Sequence, residues 1–149
     1  MPVTRAQPGL HLDMAAINAA IQAPMHAAMK EIGAREVAAI EEALSVPVGR
    51  DFAGNVVERS KPGAPPRLEE DVLRGNVQWR LVTDEAKPYL VVLTSRPDSD
   101  AADAAITLEY GGVSSWGPIE ERPFMRPAYE RMKAYYMEVF ESHLRPALK

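Results

Sequence analysis

At 149 residues and a formal net charge of −4, the chain has room for one domain with a real core and too little for two. It contains no cysteine, which excludes disulfide staples, thiolate zinc sites and cysteine nucleophiles. No basic block occurs, so tight sequence-independent capture of nucleic acid lacks the clustered Lys and Arg it needs.

Residues 1–12 carry Pro2, Pro8 and Gly9 and read as a flexible arm ahead of a single domain. No apolar run near the start has signal-peptide length, and no stretch is long enough to span a bilayer. The expectation is a protein made and kept in a cytoplasm-like compartment, with no membrane partner. Asp13 is a reasonable N-cap for a long first helix. Behind it Ile17, Ile21, Met25, Ala28, Met29, Ile32, Ile40 and Leu44 recur at helical steps. Pro24 and Gly33 interrupt that stripe. Proline removes a donor and clashes with the preceding turn, so a kink is expected at Pro24, or a short helix followed by a longer one. Pro47 and Gly49 end the element.

Residues 46–70 form a long Pro/Gly-rich loop without a period. Loops of this length tend to be functional or disordered. Pro65-Pro66 favours extended backbone, and Glu69 to Arg74 has room for one helical turn. The period then changes to two. Val77, Trp79 and Leu81 alternate with Gln78 and Arg80, as a half-buried strand does. "DEAK" is a plausible hairpin connection. "YLVVLTS", Tyr89 to Ser95, is apolar on both faces and reads as a central strand. "AAITLEY", Ala104 to Tyr110, gives a third strand with Ile106, Leu108 and Tyr110 on one face. Gly111-Gly112 closes it, and "VSSWGPIEERP" is a loop. From Pro127 a last helix carries an apolar stripe of Ala128, Met132, Tyr135, Tyr136, Val139, Phe140 and Leu144, stopped by Pro146. The expected fold is α+β: a small antiparallel β-meander packed against a long, kinked N-terminal helix and a C-terminal helix. One sheet face and both edges would stay uncovered in a single copy, a physical reason to expect an oligomer.

Signs of chemistry are few. His11, His26 and His143 have no partner at a ligand spacing, and His143 reads as a satisfied core or interface histidine. Ser114 and Ser115 lack a nearby base and a nucleophile elbow. "VGRDFAGN" lacks the ending of a phosphate loop and reads as ordinary turns. Glu41-Glu42, Glu69-Glu70-Asp71 and Glu120-Glu121 sit in polar contexts, where carboxylate pKa values are not split. Glu109 stands out at the end of an apolar segment, as an outward-facing or subunit-contact residue. Pro62 to Pro65 matches P-x-x-P, a pattern that aromatic grooves bind. No catalytic, cofactor or metal residue is therefore assigned, and the chain is read as a non-enzyme.

Three pieces resemble one family. "SKPGAPPRLEEDVLRGNV" resembles the "S-x-P-G-x-P-P-x-x-x-T-G-x-L-R-x-S-I" segment of phage tail-completion and head–tail joining proteins. "LEYGG" resembles that family's "E-[YF]-G-T" strand end, and "ERPFMRPAYERMK" its "x-x-P-F-L-R-P-A-x-E" helix start. They occur in the family's order and cover residues 60 to 149. Glu70 and Asp71 replace the usual Thr-Gly, Gly112 the usual Thr, and Asn76 a common Ser. The resemblance implies a structural virion protein of the neck or tail top of a long-tailed phage, prophage or gene-transfer agent, made in the bacterial host's cytoplasm. It implies a ring, commonly hexameric, that joins tail to head. The partners would be sister copies, neighbouring connector proteins and tail-tube proteins. DNA would pass through the channel without sequence-specific binding. On that reading Lys61, Pro62, Gly63, Pro65, Pro66 and Arg67 form a stiff arm toward a neighbour, which Leu73 and Arg74 anchor to the sheet. Glu109, Tyr110 and Gly111 end the third strand. Pro123, Phe124, Arg126 and Pro127 set the entry of the last helix, with Phe124 buried against the sheet. Ordinary turn or core duty within one subunit is the alternative for each. The alternative functions are a small hydrolase or nuclease, and a cytoplasmic adaptor that uses the Pro-rich loop.

Overall fold

The structure, a computed structural model, describes residues 13–58, 60–67, 73–83, 88–94, 100–115 and 117–148. The flexible arm expected at 1–12 lies outside them, as do the "DEAK" connection and most of the expected turn at Glu69 to Arg74.

Helix α1 spans Met14–Ala43. It starts where expected, with the Asp13 carboxylate accepting the Ala16 N–H at 3.0 Å. No break occurs at Pro24, which lies inside one helix. Proline has no N–H to give the Ala20 carbonyl, and the helix continues without that bond. The buried stripe is Ala28, Ile32, Gly33, Glu36, Ala39 and Ile40. The first half of the helix has no fully buried residue before Ala28.

Within the loop expected at 46–70 a small hairpin forms. Strand β1 is Gly49–Arg50 and β2 is Val56–Glu58, paired antiparallel. After a single 3₁₀ turn at Arg74–Asn76, β3 (Val77–Val82) pairs antiparallel with β4 (Tyr89–Thr94), from Val77 opposite Thr94 to Val82 opposite Tyr89. Val77 is buried and Trp79 and Leu81 half-buried, while Gln78 and Arg80 are exposed, so the alternation is as the sequence requires.

The expected third strand is instead helix α2, Asp100–Tyr110. The meander is thus cut to two strands, and β4 is not central. The buried positions Ala102, Ala105 and Glu109 follow helical spacing. The alternation of Ile106, Leu108 and Tyr110 was a coincidence of types, since Ile106 and Tyr110 are exposed. Alanine-rich composition favours the helix. Gly111 follows at φ +73°, the left-handed conformation that ends helices at glycine. The expected loop after it contains a second hairpin, β5 (Gly112–Ser114) with β6 (Gly117–Ile119). Helix α3 runs over Met125–Ala147, one residue beyond Pro146. Of its expected apolar stripe, Ala128 and Val139 are buried, and Tyr135 is exposed.

The α+β class holds: among the described residues there are three α-helices with small antiparallel sheets packed against them. Helix α1 packs on α3, β3 and β4. The main core joins Phe124, Ile40 and Leu44 to Ala39, Val77, Ala105 and Ala128. Each of those three large side chains, fully buried, stabilises the fold by about 1.5–3 kcal/mol relative to exposure. A second cluster, Ala28, Ile32 and Val139, sits between α1 and α3.

Candidate functional site

An apolar cavity of about 680 Å³ opens between α1, β4, α2 and α3. Ile32, Ile40, Leu90, Val92 and Phe140 supply much of its wall. Its exposed lining includes Ile106, Tyr110 and Tyr129. Two buried carboxylates, Glu36 and Glu109, line it as well.

Glu109 sits at the end of α2 and faces the start of α3. Its Oε2 accepts the N–H of Phe124 at 2.8 Å and of Met125 at 3.0 Å, and its Oε1 accepts the N–H of Arg126 at 2.9 Å. A helix start leaves four N–H groups without internal partners. Here one carboxylate satisfies three of them, and Pro127 has no fourth to satisfy. A negative charge at this position also complements the helix dipole. Glu109 is therefore a cap donated by one helix to another, neither an outward-facing nor a strand-end residue.

Glu36 accepts a hydrogen bond from the Tyr136 hydroxyl. Burial, and then the hydrogen bond to Glu36, push the Tyr136 hydroxyl well above its usual range. This is the opposite of an activated nucleophile, which needs a lowered value or an adjacent free base. The Tyr129 ring lies 5.9 Å from that of Tyr136, tilted by 57°. Glu36, Glu109 and Tyr136 are thus committed to holding helices together. What the cavity offers a ligand is apolar surface with an aromatic margin, where Arg126 and Glu130 place one exposed charge of each sign.

The Pro-rich segment is fastened to its own chain. Gly63 N–H donates to the Glu121 carbonyl at 2.9 Å, and Arg122 Nε donates to the Ser60 carbonyl at 3.3 Å. Pro66 is buried, Pro65 and Arg67 half-buried, and Lys61 and Pro62 exposed. Pro62 to Pro65 is a turn: Ala64 N–H donates to the Lys61 carbonyl at 3.1 Å, with Gly63 at φ +79°. A left-handed residue is incompatible with the extended helix that aromatic grooves read in P-x-x-P ligands. What the segment presents outward is the Lys61-Pro62 tip. Leu73 packs on the main core, and Arg74 begins the 3₁₀ turn.

The remaining predicted positions gather near the start of α3. Pro123 and Phe124 are buried, and Phe124 is wholly enclosed in the main core. Arg126 reaches Glu121 at 3.4 Å, and Pro127 is exposed. Tyr110 is exposed beside Gly111.

His143, on α3, ties that helix to α1. Its Nε2 lies 2.8 Å from Glu31, whose other oxygen accepts from Arg35 at 2.6 Å. The His143 and Arg35 hydrogen bonds hold the Glu31 carboxyl below its usual 4.5. Among the described residues no cluster of three His, Asp or Glu is placed to hold a metal ion, and no helix is long and apolar enough to cross a membrane.

Sequence reasoning read Val48 to Asn55 as ordinary turns and passed over what the β1–β2 tip displays. Asp51 Oδ1 accepts the N–H groups of Ala53 (2.9 Å) and Asn55 (2.8 Å), and Oδ2 accepts the Asn55 amide at 3.0 Å. These bonds, that of the Asn55 side chain first, keep the Asp51 carboxyl below its usual 3.8. Phe52 stands fully exposed at the turn. The available signal was Asp-x-x-Gly-Asn, whose Asx and glycine residues specify a tight turn. No family model, curated protein or solved structure matches this chain.

Proposed function

We propose that this chain is a ring-forming structural subunit of the neck or tail top of a long-tailed phage or gene-transfer agent. Sister copies would surround the DNA channel, with connector and tail-tube proteins above and below. The observation that carries the reading is the open pairing of its sheets. Among the described residues every strand belongs to a two-stranded sheet, so each has one side with no strand beside it. Exposed edges are templates for pairing with another chain. A ring of identical copies is one way to cover them all equally. Of the three ordered motifs in residues 60 to 149, "ERPFMRPAYERMK" opens a helix as the resemblance implies and supports the same assignment, whereas "LEYGG" ends helix α2 and not a strand. The acidic balance suits a bore through which phosphates must slide without being held.

A hydrolase or nuclease would draw on the cavity, where Glu109 and Tyr136 are already engaged with other parts of the chain. The test is deletion of the gene from the replicon that encodes it. Filled heads and separate tails should accumulate, and the wild-type gene supplied in trans should restore joined particles. Normal yields of joined particles from the deletion would refute the proposal.

A further inference from the structure

The β1–β2 hairpin is unusually well determined for so short an element. Three hydrogen bonds converge on the Asp51 carboxylate, and two more close the backbone: Asp51 N–H to the Asn55 carbonyl and Gly54 N–H to the Asp51 carbonyl, both at 3.0 Å. Gly54 takes φ +84°, which glycine adopts without strain. The product of this rigidity is a bare Phe52 at the tip, fully exposed. One exposed apolar side chain needs no explanation. An aromatic ring held out on a pre-ordered turn loses little entropy on docking, which is how binding anchors are built.

The same chain carries a receptor of matching chemistry. The cavity is apolar within, and its lining includes the exposed Tyr110 and Tyr129 rings, Arg126 and Glu130. Lys133 pairs with the Glu130 carboxylate at 3.8 Å and lies 6.0 Å from the centre of the Tyr129 ring. Next to Phe52 the hairpin presents the exposed Arg50, whose Nη1 is held by the Gly54 carbonyl at 2.8 Å. The two Lys133 contacts are exposed, and exposed pairs of this kind contribute little. An arginine suits the same two partners, a carboxylate and an aromatic face, better than a lysine does. The charge of Asp51, by contrast, is absorbed by its own turn.

We propose that Phe52 of one copy enters the cavity of the next, with Arg50 taking the place of Lys133 against Glu130 and the Tyr129 ring. Knob and hole are different surfaces of the chain, so the contact is head-to-tail, the type that generates closed rings or filaments. The inference rests on the ring reading and names its subunit contact. A phenylalanine buries about 150–250 Å², well under the roughly 800 Å² per partner of a standard stable interface. A single contact is therefore weak. Assembly should appear only at high concentration, where each copy gains two neighbours.

The experiment places p-benzoylphenylalanine at position 52. The variant is mixed as equal parts of unlabelled and ¹⁵N-labelled chain, concentrated and irradiated. Benzophenone attacks methionine C–H bonds preferentially, and Met29 and Met125 line the cavity. The expected result is mixed-isotope cross-links from position 52 to peptides containing Met29 or Met125. In parallel, Phe52→Ala should raise the concentration for half-assembly by about tenfold or more, with an unchanged melting temperature. Cross-links to other surfaces, or undiminished assembly of Phe52→Ala, overturn this contact. If the wild-type chain still forms rings in that case, the ring reading survives. A wild-type chain that stays monomeric at every concentration, with no mixed-isotope cross-link, removes both.

Discussion

Glu109 joins two helices through one carboxylate, and its removal has a calculable consequence. Glu109→Ala would leave three N–H groups at the start of α3 without partners. Loss of an N-cap costs about 0.5–2 kcal/mol, and burial places this case at the upper end or above. Urea unfolding should show the loss, with Glu109→Gln retaining part of the stability. An unchanged midpoint for Glu109→Ala would mean that the carboxylate is not the cap. Phe124→Ala, in the same region, should cost about 3–5 kcal/mol because the ring is fully enclosed. Glu31 supplies a pH-dependent case. Its folded value lies below its usual 4.5, so its contribution is complete above that value. It disappears as the pH falls through the lowered folded value. Wild type should therefore melt above Glu31→Gln near neutral pH, and the gap should close in acid. A gap that persists in strong acid would refute the assignment. Some of these roles were legible in the residues. The Asp13 cap and the burial of Phe124 follow from local type and spacing. The role of Glu109 was not legible, because its partners lie 15 to 17 residues away and only the packing of α2 against α3 brings them together.

The elements show where local pattern was sufficient and where tertiary packing decided. Helix α3 and strand β3 were readable from their periods, β4 from a short run apolar on both faces, and α1 from a stripe whose interruptions at Pro24 and Gly33 do not divide the helix. The segment 104–110 was not: seven residues rich in alanine fit either period, and contact with the core settled the matter in favour of α2. Gly33 is a second instance. In the sequence it looks like a helix interruption, yet it lies buried inside α1 where the helix meets the sheet. A Cβ there would stand 2.8 Å from Trp79 Cγ and Cδ2 and 3.0 Å from Leu90 Cδ1. These two side chains come from paired strands, so glycine sets how closely helix and hairpin approach. Gly33→Ala gains about 1 kcal/mol in helix propensity and loses about 1–3 kcal/mol to overpacking. The net should be destabilising, with the near-ultraviolet signal of Trp79 altered. A variant that is more stable than wild type would show that the approach is looser than described.

At the scale of the whole molecule, the helices do not match in length. Glu31 pairs with His143, Glu36 with Tyr136 and Glu42 with Arg131, so α1 and α3 run antiparallel. Beyond Glu31, α3 continues for about one turn to Ala147, whereas α1 runs on for more than four turns to Met14. Ile17 and Ile21 lie four residues apart on this overhang, past the end of the α3 scaffold. Among the described residues, the overhang, the unpaired strand edges and the Phe52 tip are all surfaces that a single copy leaves without a large partner. The proposed assembly of sister copies would cover all three. Native mass spectrometry of the purified full chain over rising concentration, with stabilising cross-linker in the upper range, tests that proposal most directly. It should reveal a ladder of species that terminates at one closed ring of fixed copy number. A chain that remains monomeric throughout, or that builds an open-ended ladder with no terminal species, would contradict it.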